Sequence, residues 1–187
     1  NNIIQLANPA VIADVADQDR GDDGWRNRSI RFDDCRKQTL TVRISKAPAA
    51  SLAKMYLNVW HDGNRDGDWA DSDTCSPHPD VSNRTSYEWI VQNHTVDMTA
   101  IAPGGFVDIQ VNTKRVLNTH EGLPHWMRFT LSERRAVQPP SDKLPDGRGP
   151  HRNSALGSYE FGETEDIFHK PPPAGEDGEL ILEKRVI

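Results

Sequence analysis

Hydrophobic and polar residues alternate along many short segments of the chain, and a period of two is typical of β-strands. In residues 54–60, Met55, Leu57 and Val59 fall on one side of the predicted strand. The pattern predicts an all-β fold, an antiparallel β-sandwich resembling a jelly roll with long irregular loops. Further predicted strands, flanked by glycine, proline or asparagine, cover 29–33, 39–44, 87–91, 106–111, 125–131 and 158–161, the last running into 162–168.

The same pattern divides the chain into a central domain and two tails. Residues 1–24 are predicted to form an apolar strand and an acidic loop, and residues 25–169 the β-sandwich. Within that domain, residues 133–157 hold four prolines and almost no apolar residues, which indicates a long irregular loop. Residues 170–178 are a Pro/Gly-rich linker. Residues 179–187 are predicted to be a strand that belongs to this domain, is donated to a neighbour, or begins a next domain.

Residues 62–73 carry the most specific chemistry in the sequence. Asp62, Asn64 and Asp66 occupy positions one, three and five of an EF-hand-type calcium loop. Gly67 allows the turn at position six, and Asp73 takes position twelve. The predicted Ca²⁺ ligands are Asp62, Asn64, Asp66, Asp68 through its backbone carbonyl, Asp71 and Asp73.

The segment before this loop decides what kind of calcium site we expect. A strand leads into it, whereas a calcium sensor needs a pair of helices that can open, so the sequence predicts a structural clip. The alternative is a turn without metal, because Asp, Asn and Gly all favour turns. Crowded carboxylates favour the calcium interpretation, since their repulsion costs stability unless a cation offsets it.

Composition narrows the range of partners. The net charge is −6, from 22 Lys and Arg against 28 Asp and Glu, and the basic residues are scattered. Neither nucleic acid nor an anionic membrane surface is therefore an expected partner. No apolar run approaches the roughly 18 residues of a membrane helix, so membrane insertion is not expected.

The two cysteines, Cys35 and Cys75, lack the CxxC spacing of a zinc site. A single disulfide is predicted, which would close a loop of about 40 residues and contribute about 3–4 kcal/mol to stability. Disulfides persist in oxidising compartments, and calcium loops of low affinity are saturated outside the cell. Together these features predict an extracellular or cell-surface location.

Two motifs occur in order along the chain, the strand and loop at 56–69 and the sequence Gly162-Glu-Thr-Glu-Asp166. With them the chain resembles the GEVED domain of bacterial secreted and cell-surface multidomain proteins. That family shows an aromatic strand before Asp-x-Asn-x-Asp-Gly-Asp and ends in Gly-Glu-Val-Glu-Asp, so Thr164 departs from its pattern. The resemblance implies a β-sandwich module with a calcium-type loop, and its signature acids correspond to Glu163, Glu165 and Asp166.

Two further residue sets have alternative interpretations. Glu163, Glu165 and Asp166 are candidates for a second metal site, because alternation puts the two glutamates on one face of a strand. The alternative is a solvated acidic strand end. The tryptophans are interpreted as core or sheet-face aromatics, with a carbohydrate-binding platform as the alternative; the candidates for that platform are Trp60, Trp89 and Trp126.

No motif predicts catalysis. Seven histidines occur, but neither HExxH nor G-x-S-x-G is present. We therefore expect a non-enzymatic, calcium-stabilised extracellular module for adhesion or surface structure. Its expected partners are neighbouring domains or identical subunits, joined by β-strand addition through residues 2–15 or 180–187 into filaments. The alternative is a carbohydrate-binding accessory domain of a secreted hydrolase or protease, with glycans as ligands.

Overall fold

The computed structural model describes residues 24–69, 71–75, 84–136, 146–147 and 159–173. These residues form eight β-strands and one short 3₁₀ helix, and they contain no α-helix, which confirms the all-β prediction. The strands are β1 (Thr39–Ser45), β2 (Lys54–His61), β3 (Ser72–Thr74), β4 (Thr85–Tyr87), β5 (Trp89–Asp97), β6 (Phe106–Asn112), β7 (His125–Ser132) and β8 (Gly162–His169), and the 3₁₀ helix is Met98–Ala100.

The strands form three antiparallel groups. The largest is a four-stranded sheet in the order β5-β2-β7-β8, and the others are the pairs β1-β6 and β3-β4. The β1-β6 pair packs on the four-stranded sheet across a shared hydrophobic core, so the fold is an antiparallel β-sandwich. Buried members of that core include Leu40, Val42, Ile44 and Val111 from the pair, and Leu57, Val59, Ile90, Met127, Phe129 and Ile167 from the larger sheet.

Strand β2 is buried on both faces, although its sequence alternates. Met55, Leu57 and Val59 face the core between the sheets, as the period-two pattern predicts. On the opposite face, Asn58 and Trp60 are also fully buried. A second, smaller core covers that face and consists of Trp60, Trp89 and Ala136 with Trp69 packed against it.

Part of the segment predicted as a long loop, 133–157, covers this outer face. The structure describes residues 133–136 and 146–147 of it. The Gly147 carbonyl oxygen accepts hydrogen bonds from the hydroxyls of Thr130 and Thr164, each at 3.1 Å. Arg128 donates to the Asp146 carbonyl at 2.7 Å. Gly147 has φ +84° and lies so close to the sheet that a Cβ there would be 2.7 Å from Arg128 Cδ. Residues 146–147 of this segment are therefore anchored on the sheet.

Residues 29–33, predicted to be a strand, form no strand, and that prediction is wrong. Phe32 is buried in the main core, so the alternation reports burial correctly. The backbone is held by side chains instead of a strand ladder: Asn118 Nδ2 donates to the Phe32 carbonyl at 2.5 Å, and the Asn118 amide donates to Asp34 Oδ1 at 2.8 Å. Burial and strand pairing are separate properties, and the sequence pattern measures only burial.

The predicted disulfide is present, joining Cys35 to Cys75 with their Cα atoms 5.6 Å apart. It links the irregular segment after Phe32 to the residue following β3. Among the residues described, no helix is long and apolar enough to cross a membrane. The predicted strand within 1–23 and the predicted strand at 179–187 lie outside the described residues.

Candidate metal centre

The candidate loop begins where β2 ends, and the sheet fixes its first residues. The His61 amide donates to the Glu88 carbonyl at 2.9 Å, and the Asp62 amide donates to the Trp126 carbonyl at 3.0 Å. The junction of β4 and β5 on one side and β7 on the other therefore hold this point, and only 5% of Asp62 is exposed. Only glycine fits at the next position, because a Cβ on Gly63 would be 1.6 Å from the carbonyl oxygen of Leu117.

Beyond Gly63 the loop is coiled by its own polar side chains. Asn64 Oδ1 accepts a hydrogen bond from the Asp66 amide, and Asp66 Oδ1 accepts one from the Asp68 amide, each at 3.0 Å. Arg65 and Gly67 adopt positive φ angles of 63° and 87°, which gives the sharp turn. Such side-chain to backbone bonds are the reason that Asn and Asp favour turns.

Arg65, at the fourth loop position, fastens the loop to the segment between β6 and β7. Its guanidinium donates to Asn118 Oδ1 at 2.8 Å and to the carbonyls of His120 at 2.8 Å and Leu123 at 2.9 Å. It also donates to the Gly63 carbonyl within the loop. The loop conformation is therefore set by several bonds that need no ligand.

Glu88, between β4 and β5, completes the site from a different part of the chain. Its side chain is fully buried and accepts the amides of Gly63 and Asp71, each at 3.1 Å. Burial, followed by the nearby charges of Asp62 and Asp71, raises the pKa of Glu88 to about 8. Sequence reasoning missed this residue, and its one signal was a carboxylate inside the apolar segment 87–91.

Two acidic groups share Asp66. Carboxylate oxygens of Asp62, Asp66 and Glu88 lie within 4.8 Å of one another, and so do those of Asp66, Asp68 and Asp71. Burial, and then the charge of Asp66, raises the pKa of Asp62. The pKa of Asp71 is also raised, first by burial and then by Asp68 and Asp66. This cluster could hold a metal ion, because a cation would offset the repulsion that these shifts report.

One oxygen at the buried end of the cluster has no protein partner. Asp62 Oδ1 is inaccessible to solvent and makes no hydrogen bond. A buried carboxylate oxygen without a partner costs free energy, of order 1–3 kcal/mol or more for a charged group. The partner that this oxygen lacks is a cation or a proton.

The remaining predicted ligands differ in position. Asn64 lies in the loop, where its Nδ2 donates to Asp66 Oδ2 at 2.9 Å and to Asp71 Oδ2 at 2.6 Å. Asp73 lies exposed on β3, and its Oδ1 accepts the Thr74 amide at 2.6 Å. Among the described residues, Asp73 belongs to neither acidic group. The structure thus brings Glu88 to the first group and leaves the predicted twelfth position outside both.

The second predicted acidic set does not converge on one point. Glu163 and Glu165 share a face of β8 and line a cavity between the sheets, as their alternation predicts. Asp166 lies on the opposite face and forms two hydrogen bonds of 2.5 Å with the guanidinium of Arg128. Its role in this structure is therefore an ion pair on the outer face of the four-stranded sheet.

The three tryptophans of the candidate carbohydrate-binding platform do not form one exposed surface either. Trp60 and Trp89 stack on each other with ring centroids 5.7 Å apart, and only 0% and 3% of these residues is exposed. Their ring faces are thus unavailable to a sugar. Trp126 is partly buried and packs against Phe168 at 5.1 Å. The interpretation of the tryptophans as core or sheet-face aromatics therefore describes Trp60 and Trp89.

Three histidines form a buried cluster beneath the loop, which sequence reasoning did not identify. The ring centroids of His61 and His125 are 4.1 Å apart, those of His125 and His169 are 4.8 Å apart, and Phe32 packs against all three rings. Burial is the main cause that lowers their pKa values, to about 3 for His125 and about 4 for His169. The cluster is therefore neutral at physiological pH and serves as part of the core.

A scan of the chain against protein-family models finds no match, and searches of curated proteins and of solved structures find none either. The resemblance to the GEVED domain thus stays a prediction.

Proposed function

We propose that this protein is a non-enzymatic extracellular structural module whose loop at 62–73 binds one calcium ion as a clip. The observation that carries the proposal is the buried Oδ1 of Asp62, which lacks a hydrogen-bond partner. The carboxylate of the same residue is grouped with those of Asp66 and Glu88. A hydrogen-bonded turn would not need a desolvated carboxylate at that place.

The donor set favours a hard cation over a transition metal. The clustered side-chain donors of both acidic groups are carboxylate oxygens, and calcium takes six to eight oxygen ligands in flexible geometry. Magnesium demands a smaller, near-octahedral shell and usually keeps several waters. Two carboxylates in one turn with a third from the junction of β4 and β5 fit calcium better.

The position of the site supports a structural role. A cation held by Asp62, Asp66 and Glu88 would join the end of β2 to the junction of β4 and β5. The disulfide fastens the next segment, because Cys75 directly follows β3. Cation and disulfide would together tie down the region between β2 and β5, whose described residues form only the short strands β3 and β4.

The same disulfide supports the proposed location. Disulfides persist in oxidising compartments and are rare in the cytosol, and structural calcium modules of low affinity depend on the high calcium outside the cell.

Thermal unfolding of the full chain with calcium, with magnesium and with chelator tests the proposal. Calcium at about 100-fold over Kd should stabilise the fold by about 2.7 kcal/mol, or about 5–10 °C for a domain of this size. Asp62→Asn with Glu88→Gln should abolish the shift. Asp73→Asn serves as the matched control and should retain it, because Asp73 lies outside both acidic groups. Equal melting temperatures in calcium and chelator would refute the calcium clip.

A further inference from the structure

The outer face of the four-stranded sheet carries a row of residues that begins at the candidate metal centre. Asp62 follows the last pair of the β2-β7 ladder, and its amide donates to the Trp126 carbonyl, so Asp62 lies opposite Trp126. In the β7-β8 ladder, Trp126 lies opposite Phe168. Residues two positions apart in a strand share a face, so Asp62 and Trp126 lie on the face of Trp60 and Arg128. Phe168, as the cross-strand partner of Trp126, shares that face.

The aromatic part of this row is accessible. Trp126 and Phe168 are each partly exposed, whereas Trp60 and Trp89 of the smaller core are buried. The ring centroids of Trp126 and Phe168 are 5.1 Å apart, and their planes are inclined at 54°. Neighbouring strands are about 4.8 Å apart, so the row from Asp62 to Phe168 spans about 10 Å. A ligand held at the cation site would therefore reach Trp126 within one strand spacing.

The proposed cation site has room for oxygen donors from outside the chain. Asp66 and Glu88 already use both carboxylate oxygens as hydrogen-bond acceptors, which disfavours binding of the cation through both oxygens of either side chain. Three carboxylates, even with the predicted carbonyl of Asp68, then supply fewer than the six to eight oxygens that calcium takes. In the first acidic group, Asp62 and Glu88 are buried and Asp66 is exposed. The open positions of the shell would thus lie on the solvent side.

The charges around the site select the kind of donor. The second acidic group adds Asp68 and Asp71 beside Asp66, so a divalent cation leaves the surroundings negative. An anionic ligand would be repelled there, because like charges at short range disfavour each other. Neutral oxygen donors such as hydroxyl groups carry no such penalty.

We propose that this row binds a neutral saccharide, whose adjacent hydroxyls complete the calcium shell while the apolar face of its ring packs on Trp126. A saccharide combines a hydroxyl-bearing edge with a C–H face, and the row offers a cation at one end and aromatic rings at the other. Phe168 extends the apolar surface for a second sugar ring. This inference rests on the proposed cation site and adds a ligand to it.

Calorimetric titration of the full chain with the methyl glycosides of glucose, galactose and mannose tests the inference. In saturating calcium, at least one glycoside should bind with a Kd of about 1 mM or tighter, and chelator should weaken its binding at least about tenfold. Trp126→Ala should weaken it about five- to tenfold and keep the rise in melting temperature that calcium causes. Trp126→Phe should restore part of the affinity. Phe106→Ala, which removes an exposed aromatic ring of β6, is the control and should leave affinity unchanged.

The possible failures are distinguishable. If calcium raises the melting temperature but none of the three glycosides binds, the saccharide site is refuted and the calcium clip stands. Equal glycoside affinity in calcium and chelator, or full affinity in Trp126→Ala, would also overturn the inference. Without any effect of calcium on melting, the clip and the saccharide site both fail. A poly-glutamate peptide that binds in calcium where the glycosides do not would assign the open positions to an acidic ligand and refute the charge argument.

Discussion

The raised pKa of Glu88 predicts that cation binding is coupled to proton release. With a pKa of about 8, Glu88 is ionised in only about one molecule in ten at pH 7 when no cation is bound. Calcium needs the carboxylate, so binding must expel the proton. The cost at pH 7 is about 1.4 kcal/mol, a factor of about ten in Kd. Affinity should therefore rise about tenfold for each pH unit up to about 8 and become level above it.

Calorimetric calcium titrations at about pH 6.5, 7.5 and 9 measure this dependence, and two buffers of different ionisation enthalpy count the protons released. Glu88→Gln should bind calcium more weakly and release fewer protons on binding than the unmodified chain. Asp62 and Asp71 also have raised pKa values, so a steeper dependence is expected at lower pH. A Kd that stays constant from about pH 6.5 to 9 would refute the reasoning.

Three further predictions concern stability. Reducing the Cys35–Cys75 disulfide, which spans 40 residues, should lower the free energy of unfolding by about 4 kcal/mol, measured in denaturant with and without reductant. Gly63→Ala should lower the free energy of unfolding by at least about 1–3 kcal/mol and weaken calcium binding, because the added methyl overlaps a backbone carbonyl. Gly67→Ala should lower it less, because the space around Gly67 is open and only the positive φ opposes a side chain. The lowered pKa values of His125 and His169 favour their neutral forms in the folded state, so stability is retained above about pH 6.5 and lost below it. His169 alone should lower the free energy of unfolding by roughly 3 kcal/mol as the pH falls from 6.5 to 4. Melting temperatures that stay constant over this range would contradict the lowered pKa of His169.

The sequence predicted a strand well where its alternation has a single cause, the burial of one face of the strand on the core. For β1, β2 and β7, the alternation directly reports one face on the core, and the observed bounds agree with the predicted ones to within a residue or two. The same alternation misled at 29–33, because Phe32 is buried without strand pairing. The double burial of β2 was not predictable either, because the segment that covers its second face holds few apolar residues.

The candidate metal site shows what sequence periodicity cannot predict. Its loop residues are local, so their spacing identified Asp62, Asn64 and Asp66 as one group. Glu88 is 26 residues beyond Asp62, and only the pairing of β2 with β5 brings them together. Sequence periodicity gives no register between strands, so it could not identify that contact. Asp73 was chosen by loop counting, whereas β3 begins at Ser72 and carries it away from the cluster.

The hydrogen bonds of the loop indicate how a bound cation would act. Glu88 already accepts two loop amides, and Arg65 already holds the loop against the segment before β7. Little ordering would remain for the cation to impose, so most of its binding free energy would appear as added stability. A sensor needs the opposite arrangement, an element that changes shape when the ion binds. The built loop therefore favours a permanent clip. When calcium is added, amides that exchange through global unfolding should slow together, whereas amides outside residues 61–75 and 87–89 that exchange through local opening should not change.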